Sequence, residues 1–464
     1  MSVTAYSLTQ PTILERSRHP ISRRDIDPNV LKVLYRLINA GHLAYLVGGG
    51  VRDLMMRRRP KDFDVATSAH PHEVRELFRN SRLIGRRFRL VHVFFGPHNI
   101  EVATFRRRGE EQPESDDPMI RHDNTFGTPE EDAFRRDFTI NALFYDPRTF
   151  HVIDYAGGVA DLGARLIRTV GEPEIRMRED PVRMLRAVRF AGKLDFAIEP
   201  ATHAAIMRCR GDLAKASPPR LAEETYRTLG SSGAAKALIL MAKMGLLENL
   251  LPLLSEHLHH EHDPASAATV RNMAALVHMM EHNELSHGLI LATLFADLCL
   301  VNVSGARREL PLVEDLRRRG FSRADTEQMR LLLDALPHLL RPSRLTRRLT
   351  RRPYFPEAMR LFEMLAPTYG VDVAGVERFL TQPPVVRGRG NHANQPQYAD
   401  QDGGAPGRLP RRRHRGGRRR RRGWQGAPTG SSGAASSSSG LAAAPPHPTA
   451  SPDETAGDDE GNGR

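Results

Sequence analysis

An α/β head followed by an all-helical second half and a disordered basic tail is the fold this sequence predicts. Three observations predict it. Short apolar runs bounded by Gly, Pro or acidic residues, the signature of strands, occur before about residue 170. From about Gly171 those signals stop and apolar residues recur at helical spacing. After Pro383 the sequence turns to Gly, Pro, Ser and Arg, which cannot bury enough surface to offset chain entropy. The expected divisions are a flexible leader 1–25, a head 26–170, a helical neck 171–235, a helical body 236–382, and a disordered tail 383–464.

Each element has a local reason. Val30, Leu31, Leu34, Leu37 and Ile38 repeat at i, i+3, i+4, and Gly41 stops that helix. Ala44-Tyr45-Leu46-Val47 reads as a buried strand running into Gly48-Gly49-Gly50, and Arg52 to Arg58 as a short helix. Phe63-Asp64-Val65-Ala66 reads as an acidic strand, and about Pro71 to Phe78 as a helix. Val91–Phe95 and Ile100–Phe105 are expected strands joined by a hairpin at Gly96-Pro97-His98-Asn99. Residues 107–128 are polar and expected to form a mobile loop. Glu174–Lys193 is expected as one helix, followed by helices near 200–210, 218–230, 234–247, 269–282, 286–301, 322–336 and 356–365.

The chain of 464 residues carries a formal charge of +13, with 62 Arg and 6 Lys. That excess favours a polyanionic partner, nucleic acid before membrane. The tail holds 13 Arg against 7 acids, so +6 of the charge lies there and +7 on the rest. Two cysteines, Cys209 and Cys299, exclude a disulfide framework and a Cys-rich zinc site. A reducing cytoplasm fits. Neither a signal peptide nor an apolar run of membrane-spanning length is expected, so no stable membrane insertion.

The chemistry concentrates in three blocks. In the first, Gly48 and Gly49 let backbone approach phosphate, and Asp62 and Asp64 follow at i, i+2. On a strand that spacing aims two carboxylates at one spot, with Phe63 and Val65 facing the core. Such oxygens suit Mg²⁺, which needs few protein ligands when substrate phosphates supply the rest. Glu101, alternating with Ile100 and Val102, is the candidate third carboxylate; the bland alternative is an edge-strand charge. The second block, Glu131 to Leu143, sets Arg135, Arg136, Asp137 and Asn141 beside an apolar run. Arginine grips phosphate in bidentate fashion, and Asp and Asn suit ribose hydroxyls. A surface ion-pair patch is the competing reading. In the third, Asp180 and Arg183 lie i, i+3 after Glu179 at an expected helix start. One acceptor and one fork of donors suit the edge of a base, and a plain helical ion pair is the alternative.

Gly48-Gly49-x-Val51-Arg52-Asp53, Asp62-Phe63-Asp64, Arg135-Arg136-Asp137-Phe138-Thr139-Ile140-Asn141-Ala142-Leu143 and Glu179-Asp180-Pro181-Val182-Arg183-Met184-Leu185-Arg186-Ala187 occur in that order. Together they resemble the class II tRNA nucleotidyltransferase/poly(A) polymerase family. The resemblance is strong from about residue 28 to 235. It implies a polymerase-β-like nucleotidyltransferase head with helical neck and body. It implies that Asp62 and Asp64 hold two Mg²⁺, one activating an RNA 3′-hydroxyl for attack on ATP and the other neutralising departing pyrophosphate. It further implies that Gly48, Gly49, Arg52, Arg136, Asp137 and Asn141 serve the triphosphate and ribose. Asp180 and Arg183 would read the adenine without a template.

Leu83-Ile84-Gly85-Arg86-Arg87-Phe88-Arg89-Leu90-Val91-His92-Val93 resembles a block of the poly(A) polymerase branch, and Arg86 and Arg87 would add a basic RNA-binding edge. Arg220 and Glu224 are expected to buttress the base-reading helix. The leading expectation is therefore addition of AMP from ATP to RNA 3′ ends, in mRNA processing and turnover. A tRNA CCA-adding enzyme is the alternative, and a non-catalytic RNA-binding protein the alternative of another class.

Two features lie outside those blocks. Glu256 to Asp263 is rich in His but is read as a solvated interhelical loop rather than a metal site. Arg408 to Arg422 holds ten arginines in fifteen residues, with Trp424 adjacent. Arg411, Arg412, Arg413, Arg418 and Arg419 suit sequence-tolerant binding of single-stranded RNA.

Overall fold

The computed structural model describes residues 10–85, 90–107, 126–259, 267–281, 283–303 and 311–382. Arg86, Arg87, His262, Asp263 and the tail arginines Arg411, Arg412, Arg413, Arg418 and Arg419 lie outside the described residues. So do most of the expected 107–128 loop and the first nine residues of the expected leader.

Ten strands are described: β1 (Thr12–Leu14), β2 (Ala44–Val47), β3 (Asp64–Thr67), β4 (Ser81–Ile84), β5 (Leu90–Phe95), β6 (His98–Thr104), β7 (Leu143–Asp146), β8 (His151–Asp154), β9 (Leu166–Ile167) and β10 (Ala197–Ile198). The first eight form one sheet in the order β1-β8-β7-β2-β3-β6-β5-β4. Neighbours are antiparallel, except that β3 and β6 run parallel. The head helices are α1 (Pro28–Asn39), α2 (Gly49–Met55), α3 (Pro71–Leu77), α4 (Pro129–Arg135) and α5 (Gly158–Ala164).

Capping explains where two of these helices begin. Asp27 accepts from the Asn29 amide with Pro28 in the first turn of α1. Thr128 and Glu131 form a capping box at the start of α4. The α1 stripe Val30, Val33, Leu34 and Leu37 is buried against one face of the sheet, with Leu46, Val65, Val91, Val93, Ile100 and Val102. The alternate residues Tyr45, Val47 and Ala66 join Phe105, Ala133, Ala142 and Phe144 on the other face. One face is thus a helix-covered core. The other carries a smaller core and leaves part of its surface open.

The second half follows the helical expectation in outline, with departures near its start, and the leader departs from its own. Glu174–Lys193 is two helices, α6 (Pro173–Glu179) and α7 (Val182–Leu194), because Asp180 adopts extended backbone and Pro181 restarts the chain. Strands do not stop at Gly171: β10 pairs in parallel with β9. Nor is the leader wholly without structure, since β1 pairs with β8 at the sheet edge and Ile21 is buried.

Beyond α7 come α8 (Pro200–Cys209), α9 (Pro218–Leu229), α10 (Ala234–Lys243), α11 (Leu247–Leu250), α12 (Pro252–His259), α13 (Ala268–Met280) and α14 (His287–Val303). They are followed by α15 (Leu312–Arg318), α16 (Arg323–Leu340), α17 (Thr346–Leu349), α18 (Phe355–Leu365) and α19 (Val373–Thr381). Their shared core reaches back to Phe138, Ile140 and Ile167, across the boundary expected at 170/171. Among the described residues no helix is long and apolar enough to cross a membrane.

Candidate functional site

The turn from β2 into α2 is shaped by one glycine. Gly48 has φ +71°, a conformation L side chains rarely adopt. A Cβ there would lie 2.9 Å from Arg136 Nη1 and 3.8 Å from Asp64 Oδ2. Gly48 therefore lets an arginine and an aspartate meet over bare backbone. Its own amide donates to the Leu143 carbonyl at 3.1 Å, so the glycine offers space rather than a free donor. The next amides open α2, where a first turn has no intrahelical acceptors.

Asp64 begins β3, and Asp62 precedes the strand rather than lying on it. The i, i+2 expectation is met only in part: Val65 faces the helix-covered core and Phe63 packs against it, while Asp62 sits in the exposed approach. Parallel pairing sets Asp64 beside Glu101 of β6, so the expected third carboxylate adjoins Asp64. Burial pushes the Asp64 carboxyl up, the neighbouring Glu101 charge adds to this, Arg136 opposes it and Asp62 adds more; the result is about 6. Crowded carboxylates short of positive charge are what a cation would relieve. No group of three or more His, Cys, Asp or Glu suited to a single ion occurs among the described residues. Asp62, Asp64 and Glu101 thus do not form one three-carboxylate group.

Arg136 approaches from the opposite side. Its Nε and Nη2 donate to Asp132 Oδ2 at 3.2 and 2.9 Å, and Nη1 to the Asn141 carbonyl at 3.3 Å. The guanidinium lies 5.3 Å from the Phe144 ring centroid. Asp132, buried on α4, thus holds the arginine toward Asp64.

Asp137, Asn141 and Arg52 build the floor behind it. Arg52 is 3% exposed; Nη1 donates to Asn141 Oδ1 at 2.7 Å and Nε to Asp53 at 2.8 Å. Asn141 Nδ2 donates to Asp137 Oδ1, which also accepts from the Phe138 amide. Asp137 Oδ2 accepts two bonds from Arg186 of α7, at 2.7 and 2.5 Å. Burial pushes this carboxyl up, but the Arg186 charge and the bonds from Asn141, Arg186 and the Phe138 amide outweigh it and hold it at about 2. Arg186 continues toward Glu224 of α9 at 3.8 Å, and Glu224 also takes Arg189 Nε at 2.5 Å. The guanidinium carbons of Arg52, Arg186 and Arg189 lie 5.2, 5.5 and 4.5 Å from the Phe190 ring centroid.

The expected base-reading pair sits at the α6–α7 junction. Asp180 Oδ2 accepts from Arg220 Nη2 at 2.8 Å. Arg183 Nη1 donates to the Arg176 carbonyl at 2.7 Å and to Glu179 Oε2 at 3.1 Å. Burial lowers the Arg183 pKa below the usual arginine value. Arg220 and Glu224, expected as buttresses, reach α6–α7 separately rather than bonding each other. Arg176 anchors the junction to the head through the Arg135 and Arg136 carbonyls, both at 2.7 Å.

Sequence reading gave Asp132, Arg186 and Arg189 no role. Arg183, Arg186 and Arg189, spaced by three beside buried Met184, Leu185 and Val188, were the available signal. Only 256–259 of the His-rich stretch are described, and they lie on α12 rather than in a loop, with His257 nearly buried 2.9 Å from Asp297 of α14.

Comparison with known proteins covers the head and part of the helices beyond it. The "Poly A polymerase head domain" family matches residues 44–168, and the "Probable RNA and SrmB- binding site of polymerase A" family residues 195–258. Poly(A) polymerase I of Salmonella typhi is 51% identical over 262 residues, 55% of this chain and 56% of that protein. A CCA-adding enzyme of Bacillus velezensis is 40% identical over 220 residues, 47% of this chain and 54% of that protein. The chain thus spans about half the length of these curated relatives. The Bacillus stearothermophilus CCA-adding enzyme, solved in complex with CTP, superposes with TM-score 0.61 at 30% identity, covering 76% of this chain and 82% of that one. Likeness of that extent, through the head and into the helices beyond it, shows that the chain belongs to the family of bacterial poly(A) polymerases and tRNA CCA-adding enzymes.

Proposed function

We propose that this chain is a polynucleotide adenylyltransferase, which adds AMP from ATP to RNA 3′ ends without a nucleic-acid template and releases pyrophosphate. The observation that carries the chemistry is the apposition of Asp64 and Glu101 on neighbouring strands, with Asp62 beside them and Arg136 across Gly48. The higher identity to poly(A) polymerase I than to the CCA-adding enzyme supports the choice of ATP and general RNA ends. Proposed partners are ATP and RNA 3′ ends, and the proposed location is the cytoplasm.

Mg²⁺ held by Asp62 and Asp64 would neutralise charge on the transferring phosphoryl group and ease ionisation of the attacking hydroxyl. Everything else falls to the chain's own groups. Arg136 leans toward the triphosphate side, held by Asp132 so that little ordering is left for the moment of reaction. Gly48 lets phosphate come close to backbone. Asp137 and Asn141, tied to Arg186 and Arg52, present a rigid wall beside the sugar.

Asp180 and Arg183 face the base with an acceptor and a donor. Adenine shows an amino donor beside a ring-nitrogen acceptor, and so does cytosine. Guanine and uracil show the reverse and are refused. This pair alone therefore rejects G and U but does not separate A from C. That favours keeping CCA addition as the second reading, and the solved neighbour holds CTP.

One assay separates the readings. A generic RNA and a tRNA lacking its 3′ end are incubated with labelled ATP or CTP. A ladder of A on generic RNA is the expected result. CTP incorporation confined to the tRNA supports the second reading, and no incorporation supports a non-catalytic RNA-binding protein.

A further inference from the structure

The open face of the sheet does not end at Glu101. Register places one row of side chains across it: Phe144 on β7, Val47 on β2, Asp64 on β3, Glu101 on β6, His92 on β5 and Arg82 on β4. Alternation puts Phe94 and Asn99 on the same face, one step along from His92 and Glu101. Val91, Val93, Ile100 and Val102 turn the other way into the helix-covered core. The Arg136 side of Asp64 is thus an arginine over an aromatic core. The opposite side is a strip of Glu101, His92, Phe94, Asn99 and Arg82.

That strip has the character of a binding surface. Phe94 is 37% exposed, beside Val93 at 0% on the same strand. His92 lies edge-on to it, ring centroids 6.4 Å apart. Asn99 Nδ2 donates to His92 Nδ1 at 2.9 Å, which assigns the ring proton to Nε2. That nitrogen faces Glu101 Oε1 at 3.4 Å. A chain of three side chains therefore fixes an imidazole next to the carboxylates and an aromatic face next to the imidazole.

The direction of approach follows from the reaction. Displacement at the α-phosphorus sets the attacking and departing oxygens roughly in line. Arg136 and Gly48 hold the triphosphate on the β2–β7 side of Asp64, so the attacking hydroxyl comes from the β6–β5 side. Strands are about 4.8 Å apart and residues rise about 3.4 Å along them, which puts His92 roughly 10 Å and Phe94 roughly 12 Å from Asp64. One nucleotide with its 3′-hydroxyl at the carboxylates spans those distances.

We infer that the sheet face from Glu101 to β4 seats the 3′-terminal nucleotide of the RNA acceptor, its base stacking on Phe94 and His92 acting as a positioning residue for Glu101. The inference rests on the adenylyl-transfer reading. A ring face accepts any base, since every base offers a π-surface. This suits an enzyme whose acceptor end is its own variable product.

The test uses the full chain and single-stranded oligoadenylate carrying 2-aminopurine at its 3′ end. Binding to the wild-type protein should quench the fluorophore, whereas the probe placed several nucleotides upstream should respond less. Phe94→Ala should abolish the 3′-end quench at saturating protein and raise KM for RNA by roughly 5- to 100-fold, the worth of one base–aromatic stack. KM for ATP should stay within twofold, and Phe94→Trp should restore both signals. His92→Ala should lower kcat more than it raises KM for RNA, with His92→Gln recovering part of the loss. Retained quenching with unchanged KM in Phe94→Ala overturns the inference, as does an equal rise in KM for ATP. If the wild-type chain extends no RNA, the adenylyl-transfer reading fails, and the quench still reports whether an RNA end stacks on Phe94.

Discussion

Two aspartates lie near Arg136, one across Gly48 and one next to it in sequence, and the protein treats them oppositely. Asp64 is pushed up to about 6, whereas Asp137 is held at about 2. Burial raises both. The difference is the company each keeps. Asp137 accepts from Asn141, the Phe138 amide and both arms of Arg186, so its charge is paid for within the fold. Asp64 faces Glu101 and Asp62 with Arg136 as its counterweight. A satisfied buried charge joins parts of the structure. A crowded, under-compensated one keeps its capacity for a ligand. The two regions are thus a joint and a reaction centre built from the same residue type.

The sharpest way to break that contrast is Asp64→Ala. It should cut AMP incorporation by at least about 10³-fold while leaving circular dichroism and RNA binding unchanged. Retained activity would remove Asp64 from the reaction centre.

Asp137→Ala should act on the fold instead. It removes the main partner of Arg186, which is part-buried and keeps only Glu224 at 3.8 Å, and losing such charge-assisted bonds costs about 1–3 kcal/mol. Denaturant unfolding would read this, and a loss under about 1 kcal/mol would mean that the joint is not structural. Activity should fall as well, because Asn141 and Arg52 lose their anchor.

The pH dependence of stability should have opposite signs at the two sites. Asp137 is depressed, so its contribution is full above the ordinary carboxylate value and is lost as pH falls toward 2. Asp64 is raised, so it favours the folded state at low pH and loses that contribution as pH rises through about 6. Asp64→Asn should therefore raise the Tm by a few degrees at pH 8, and the gain should close by about pH 4. A Tm that falls at pH 8 would contradict the under-compensated charge.

The smallest expected effect on stability belongs to Arg220→Ala. Its bond to Asp180 joins side chains that are 55% and 23% exposed, and such pairs contribute about 0–1 kcal/mol. The KM for ATP should change several-fold even so, because Asp180 loses the partner that orients it. An unchanged KM would limit Arg220 to a surface ion pair.

The reaction centre was more legible than the joint. Asp62, Asp64 and Gly48 announce themselves through spacing of a few residues, since glycine before acids on an apolar strand is a local pattern. Glu101 was only a candidate, because alternation along β6 shows which face it occupies and not which strand lies beside it. The joint was only half visible: Asp137 reads as a partner for ribose and the arginine spacing on α7 as a charged stripe, and nothing local links the two across 49 residues. The split of α6 from α7 was also missed, although Pro181 was visible, because a proline in a first turn and one that follows a break look alike in sequence.

The sequence by itself therefore determined the α/β head, the helical remainder and the aspartate pair, because period, capping and turn chemistry act over a few residues. Only the tertiary structure decided that β6 runs parallel beside β3, that Arg186 and Glu224 close over Asp137, and that His92 and Phe94 extend the carboxylate row. Those outcomes depend on strand register and on helix packing across dozens of residues. Both are settled by burying whole faces together, not by the preference of any one segment.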